Sequence, residues 1–206
     1  MLNEQIKTVK NFNEFTLKEK SSEFIAKVYP VESEQKALDE LQNIRKKYFD
    51  ATHHCFAYRI NYDLSKFSDD GEPKGTAGIR ILNAIDHFDL IDVLVIVVRY
   101  FGGTKLGVGP LGKAYYNASI GVLSQSQIVK LNLYQLIEIT SDFSNINHVH
   151  RLINQYSAII SSSDFNDKAI INCLIKPSLI DKIAYELTNL SSGQIVIKVK
   201  NEYKYQ

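Results

Sequence analysis

The order of secondary structure predicted after Gln125 is the feature that most constrains the fold of this chain. Apolar periodicity there predicts, in order, a strand over 131–141, a helix over 145–156, strands over 158–163 and 168–176, a helix over 177–189 and a strand over 194–199. This β-α-β-β-α-β order is that of the ferredoxin-like split βαβ fold. The sequence therefore predicts a C-terminal domain over residues 131–206.

The preceding residues predict a second domain over 1–128, so the expected class of the whole chain is α+β. Its expected strands cover 6–9, 14–20, 22–29, 53–60 and 92–99, and its expected helices cover 33–48, 76–85 and 111–123. Ser33 and Thr76 are the predicted N-caps of the first two helices. The run 92–99 is almost continuously apolar, which indicates a strand covered on both faces. Residues 61–75 are expected to form a polar loop.

Composition limits how this chain can bind a charged partner. It has 206 residues, with 24 basic and 23 acidic side chains and a formal charge of +1. Any affinity for nucleic acid must therefore come from a local patch. Cys55 and Cys173 lack zinc-site spacing and are expected to be buried reduced thiols. No secretory leader or membrane segment is recognisable, so we expect a cytoplasmic protein, without a cofactor or a bound metal.

Two glycine-rich loops, at 68–78 and 99–107, each lie between a predicted strand and a predicted helix N-terminus. Backbone N–H groups and the helix dipole favour an anion at such a position, and the two loops are expected to form one surface site. Tyr100 and Phe101 offer flat faces on which a base could stack. The residues predicted to bind an anion or nucleic acid are Lys74, Gly75, Thr76, Gly78, Arg80, Arg99, Tyr100, Phe101, Gly102, Gly103, Lys105, Gly107 and Lys113.

A polar cluster beside these loops is the second candidate site, and it consists of His53, Ser68, Asp69, Asp70 and Glu72. Carboxylates suit magnesium or calcium, but the spacing is not that of an EF-hand and aspartate is common in turns, so no metal site is predicted. A simpler alternative is that both loops only reverse the chain between a buried strand and its helix.

Two motif look-alikes in the second loop do not support nucleotide binding. Gly107–Gly112 has the spacing of a dinucleotide fingerprint, but it begins well after the strand and has no acidic residue about twenty positions on. Gly102 and Gly107 have P-loop spacing, but Val108 and Gly109 replace the required lysine and hydroxyl residue.

Three blocks, Thr52–Tyr58, Ser68–Gly78 and Arg99–Gly107, closely resemble the signature of the bacterial YigZ/IMPACT family. The resemblance covers most of residues 15–125. It implies an N-terminal domain like the second domain of the fifth small-subunit ribosomal protein. It also implies that the C-terminal domain is similar to the last domain of elongation factor G.

This sequence departs from the family pattern in ways that bear on charge. Arg80 stands where the family usually has proline, and Gly109-Pro110 replaces a second pair of glycines. Lys113 replaces an arginine of the family's Arg-Ala-Tyr. Arg80 is expected to add a phosphate contact, whereas Lys113 keeps the charge but lacks the bidentate guanidinium of arginine.

The resemblance and the loop chemistry together predict a non-catalytic cytoplasmic regulator that binds RNA or a ribosome-associated surface and modulates translation. A protein partner from the translation machinery is also consistent with this reading. The family's eukaryotic members are linked to translational control through the kinase of initiation factor two, partly by an additional N-terminal domain, so that pathway is not expected here.

Two alternatives remain open from the sequence. One is an enzyme acting on a phosphorylated small molecule or nucleotide, with Asp69, Asp70 or Glu72 as metal ligand or base and His53 as acid or base. The other is a protein-interaction module whose loops dock a partner by shape.

Overall fold

The computed structural model describes residues 3–206 and divides into two compact units. The N-terminal unit is Lys7–Lys130, and the C-terminal unit is Leu131–Gln206 with the described residues up to Ile6. The structure is mixed α+β, which confirms the predicted class. The strands are β1 Gln5–Val9, β2 Asn13–Glu19, β3 Ser22–Pro30, β4 His53–Ile60, β5 Leu64–Ser68, β6 Val93–Tyr100, β7 Ile128–Ser141, β8 Ile159–Phe165, β9 Ala169–Ile175 and β10 Val196–Tyr205. The helices are α1 Glu34–Lys47, α2 Gly78–His87, α3 Val108–Ser124, α4 Ile146–Gln155 and α5 Ile180–Leu190.

The N-terminal unit is an antiparallel sheet, in the order β2-β3-β6-β4-β5, with helices on both faces. The central strand β6 has buried side chains on each face. Alternate residues from Val93 to Val97 pack in a core with α2 and α3, and those from Leu94 to Val98 pack with α1. The predicted burial of this strand on both faces is confirmed.

Helix α1 begins and ends as its sequence indicates. Ser33 is the N-cap, and its side chain accepts a hydrogen bond of 3.3 Å from the backbone N–H of Lys36. The last turn carries Arg45, Lys46 and Lys47, whose charges complement the negative end of the helix dipole. The prediction of Ser33 as cap is therefore confirmed.

Two predictions about residues 61–85 are wrong. Strand β5 lies within the residues that were expected to form a loop. It is a strand because its backbone pairs with β4, although most of its side chains are exposed and give no alternating pattern. Helix α2 begins at Gly78, and Thr76 does not cap it. The hydroxyl of Thr76 instead donates to the carbonyl of Pro73 at 2.6 Å.

The C-terminal unit contains all six predicted elements. The strands pair antiparallel in the order β10-β7-β9-β8, and β1 pairs with β7 as well. Helices α4 and α5 share one core with the sheet, so the arrangement is the expected ferredoxin-like one. Across residues 3–206, no helix combines the length and the apolarity that a membrane span needs.

Gly121 in α3 shows how closely the helix lies on the sheet. A Cβ atom at this position would lie 2.3 Å from Cε1 of Phe15 on β2. In an open helix, Gly→Ala stabilises by about 1 kcal/mol. Here we expect Gly121→Ala to destabilise the chain by about 1–3 kcal/mol in urea unfolding, because the ring has to move. Phe15→Leu combined with Gly121→Ala should recover part of the loss, and a stabilised single variant would contradict the prediction.

Candidate functional site

Asp69 caps helix α2 from outside the helix. Its carboxylate accepts hydrogen bonds from the backbone N–H groups of Gly75 at 2.8 Å, Ala77 at 3.0 Å and Gly78 at 2.8 Å. Burial alone would raise the pKa of Asp69, but the three donors outweigh it and the pKa lies below its ordinary value. The amides expected to be unpaired and open to an external anion are therefore occupied by the chain's own carboxylate.

Two of the loop glycines are required by close backbone packing. A Cβ atom on Gly78 would lie 2.7 Å from the backbone of Ser68, and one on Gly102 would lie 1.7 Å from the carbonyl oxygen of Ser21. No larger residue fits either position without a backbone shift. Gly78 thus brings the two ends of the first loop together, and Gly102 lets the second loop pack on the turn between β2 and β3, as the simpler alternative for the loops requires.

Asp70 ties the first loop to its neighbours. One carboxylate oxygen accepts from the Arg45 guanidinium at 2.7 Å, and the other accepts from the backbone N–H of His54 at 2.7 Å. The carbonyl of Asp70 lies 2.8 Å from Nδ1 of His53, and its N–H donates to the hydroxyl of Ser68 at 3.2 Å. Asp69 and Asp70 thus have separate partners.

Glu72 and Arg99, one from each loop, form a buried ion pair. Nη1 of Arg99 lies 2.5 Å from Oε1 of Glu72, and the two side chains are only 6% and 4% exposed. The hydroxyl of Tyr115 on α3 donates to the same carboxylate oxygen at 2.7 Å. Nε2 of His53 lies 3.8 Å from the other oxygen. The two loops are therefore joined by side chains that are buried inside the domain.

The guanidinium of Arg99 lies close to two aromatic rings. Its central carbon is 5.2 Å from the ring centre of Phe24 and 5.5 Å from that of Phe101. Nη2 donates to the hydroxyl of Ser22 at 3.3 Å, and the same hydroxyl accepts from the N–H of Gly102 at 3.3 Å. Its Nε is buried without a hydrogen-bond partner in the described part of the chain. Arg99 is thus engaged inside the protein.

Cys55 and Tyr115 lie beside this ion pair. Sγ of Cys55 is 3.0 Å from the carbonyl oxygen of Asp69 and 3.4 Å from the Tyr115 hydroxyl. Burial raises the pKa of both the thiol and the phenol, so both stay protonated at neutral pH. The thiol is therefore not poised as a nucleophile.

The remaining predicted site residues are placed as follows. Tyr100 is half-buried, and its hydroxyl donates to Asp50 at 2.8 Å. Gly75 is half-buried, and Thr76 and Gly78 are buried. The exposed members of the set are Lys74, Arg80, Phe101, Gly102, Gly103, Lys105, Gly107 and Lys113.

An open groove of about 380 Å³ lies between α2 and α3. Arg80 and Lys113 line it, and Nε of Arg80 donates to the carbonyl of Gly75 at 3.3 Å. The other lining residues are Asn83, Gly109, Gly112 and Tyr116. Asn83, Gly112 and Tyr116 were not predicted from the sequence, although Asn83 and Tyr116 each follow a predicted basic residue by three positions and so share its helix face.

The sheet, the three helices and the interlocked glycine loops define an Impact N-terminal domain. The family model of that description matches residues 20–123. The chain belongs to the IMPACT family, and the resemblance seen in its sequence is confirmed.

The similarity to relatives extends over both units. The IMPACT family member YvyE of Bacillus subtilis (strain 168) is 30% identical over 193 residues, which cover 93% of this chain and 89% of that protein. An IMPACT family member from Haemophilus influenzae is 32% identical over 187 residues, covering 87% and 89%. A crystal structure described as that of a hypothetical protein matches with a TM-score of 0.74 at 25% identity, covering 98% of this chain and 100% of that one.

Proposed function

We propose that this chain is a non-catalytic cytoplasmic regulator that binds RNA, free or at a ribosome-associated surface, and so modulates translation. The observation that carries the proposal is the groove between α2 and α3. Its lining offers two cationic side chains, an amide, a phenol and two glycines, without a carboxylate. Neither Arg80 nor Lys113 is in an ion pair within residues 3–206. Phosphate is the ligand that this combination suits.

The shape of the groove supports a polymer over a small substrate. It is an open trough along two helices, whereas small-molecule sites bury most of their ligand. Gly109, in the first turn of α3, lets a phosphate approach the backbone closely. With a formal charge of only +1 on the chain, such a patch is where electrostatic affinity has to arise. The C-terminal unit would then supply a second contact, to RNA or to a protein of the translation machinery.

The enzyme alternative gains no comparable support. Asp69, Asp70 and Glu72 were its candidate base or ligands, and all three hold backbone amides or cationic side chains of this chain. His53 lies against the loop carbonyl of Asp70. These contacts leave no carboxylate directed into the open groove.

Arg80→Ala and Lys113→Ala are expected to weaken binding of a fluorescent RNA hairpin by about tenfold each, because each removes a charge-assisted contact to phosphate. Fluorescence anisotropy across about 50–200 mM salt measures this. The slope of log affinity against log salt should become shallower by about one for each residue removed.

Lys66→Ala is the matched control, since it removes one exposed charge from β5 where Lys66 pairs with Glu34. It should leave both affinity and slope nearly unchanged. Equal losses in all three variants would indicate general electrostatics, and binding that ignores salt would contradict the proposal. A pulldown from ribonuclease-treated lysate separates RNA binding from a protein-interaction module, because only the latter survives the treatment.

A further inference from the structure

A basic and aromatic patch lies at the end of helix α1, apart from the groove. Phe49, just after the helix, is 84% exposed, and Phe101 in the second glycine loop is 44% exposed. Lys46 and Lys47 occupy the last helical turn before Phe49, and both are exposed. We call these four residues the aromatic corner.

Hydrogen bonds connect the two chain segments that carry these rings. The N–H of Thr52 donates to the carbonyl of Arg99 at 2.9 Å, and the N–H of Phe101 donates to the hydroxyl of Thr52 at 3.0 Å. The Tyr100 hydroxyl donates to Asp50, one residue after Phe49, at 2.8 Å. The exposed rings therefore lie on neighbouring, mutually anchored segments.

The charges at the corner suit a polyanion. Lys46 and Lys47 have no ion-pair partner within residues 3–206, and Nζ of Lys47 lies 5.5 Å from the ring centre of Tyr48. Arg45, on the same turn, is bound to Asp70. Two acidic residues lie beside Tyr100: Asp50, which accepts its hydrogen bond, and Glu23, which is its partner across β3 and β6.

What distinguishes Phe49 and Phe101 is that these exposed rings lie on adjoining segments close to exposed lysines, which is the combination that stacks bases and binds phosphates. Bases of single-stranded nucleic acid stack on such rings whatever their sequence, while lysines hold the adjoining phosphates. In a duplex the bases are already stacked and paired, so a ring on a protein surface gains little from it.

We infer that the aromatic corner binds a single-stranded RNA segment, with a base stacked on Phe49, phosphates near Lys46 and Lys47, and Phe101 offering a second face. This inference rests on the proposed RNA binding and deepens it, because it assigns the single-stranded part of the ligand to a surface distinct from the Arg80 and Lys113 groove.

Phe49→Trp provides a direct test, because the natural chain contains no tryptophan. Titration with a single-stranded oligouridylate should quench the new indole fluorescence saturably as a base stacks on it. Phe67→Trp is the matched control, since Phe67 on β5 is also exposed, at 47%, and should not be quenched. Phe49→Ala should weaken oligouridylate binding by about fivefold or more and leave binding of a blunt RNA duplex unchanged.

The outcomes separate this inference from the proposed function. A wild-type chain that binds neither RNA overturns both. A second outcome overturns the aromatic corner alone. In it, the chain binds RNA in a salt-dependent way and Arg80→Ala and Lys113→Ala weaken that binding, but Phe49→Trp is not quenched and Phe49→Ala has no effect. Quenching or a blue shift with vesicles of anionic lipid, and none with oligouridylate, also overturns it and assigns the patch to a lipid surface.

Discussion

Glu72→Ala is expected to lower the free energy of unfolding by about 3–5 kcal/mol, because it leaves a buried guanidinium without its counter-charge. The side chain of Arg99 is 6% exposed, and its Nε already lacks a partner in the described part of the chain. The substitution also removes the acceptor for the hydroxyl of Tyr115.

Urea unfolding of Glu72→Ala, Arg99→Met and the double variant measures the coupling of this pair. The double variant should lose clearly less than the sum of the two single losses, because a methionine does not need a counter-charge. Lys36→Ala breaks an exposed ion pair with Glu32 and should cost less than about 1 kcal/mol. Additive losses, or a Glu72 effect as small as that of Lys36, would show that the buried pair does not hold the loops.

Glu72 and Arg99 are expected to stabilise the contact between the two loops, which bears on the role of the signature residues. Glu72 and Arg99 belong to the blocks that resemble the family signature, and they contact each other inside the domain. Arg99→Ala is for that reason a poor probe of RNA binding, since a loss of affinity would follow from disturbed loops. Exposed residues such as Arg80 and Lys113 give the cleaner test of function.

Most of the fold could be predicted because its signals are local. The burial of β6 on both faces follows from an unbroken apolar run, and the start of α1 follows from Ser33. The C-terminal unit follows from the order in which helical and strand periodicities of apolar residues succeed one another along the chain. Strand β5 escaped prediction because its pairing with β4, and not an apolar face, makes it a strand.

The site was harder to predict because its determinants are distant in sequence. Arg99 and Glu72 are 27 residues apart, and charged side chains beside glycines are expected at a surface. Asp69 was placed in the candidate polar cluster for the same reason, although its carboxylate accepts hydrogen bonds from amides six to nine residues further on. The exposure of Phe49 depends on how the end of α1 meets β6, which no local pattern reveals.

Asp69→Asn is expected to cost about 2–3 kcal/mol at neutral pH, which is the second largest effect. The charged acceptor of three backbone N–H bonds is replaced by a neutral amide, and helix α2 loses the anion at its positive end. The asparagine side chain has one carbonyl oxygen, and an NH₂ group takes the place of the second carboxylate oxygen. That NH₂ group faces a backbone N–H group and cannot accept a hydrogen bond from it. Urea unfolding at neutral pH measures the loss, with Asp63→Asn in the exposed turn before β5 as the matched control.

The effect of Asp69→Asn should also depend on pH, in one direction. The pKa of Asp69 is lower in the folded chain than its ordinary value of 3.8, so the folded state favours the ionised form. That stabilisation is fully present above about pH 4 and is lost as the pH falls through the folded-state pKa. The difference in unfolding free energy between wild type and Asp69→Asn should therefore be constant from neutral pH down to about pH 5 and shrink below pH 4. A difference that stays constant or widens in acid would show that Asp69 is not held as a carboxylate by the amides of α2, since the other titrating groups are common to both proteins.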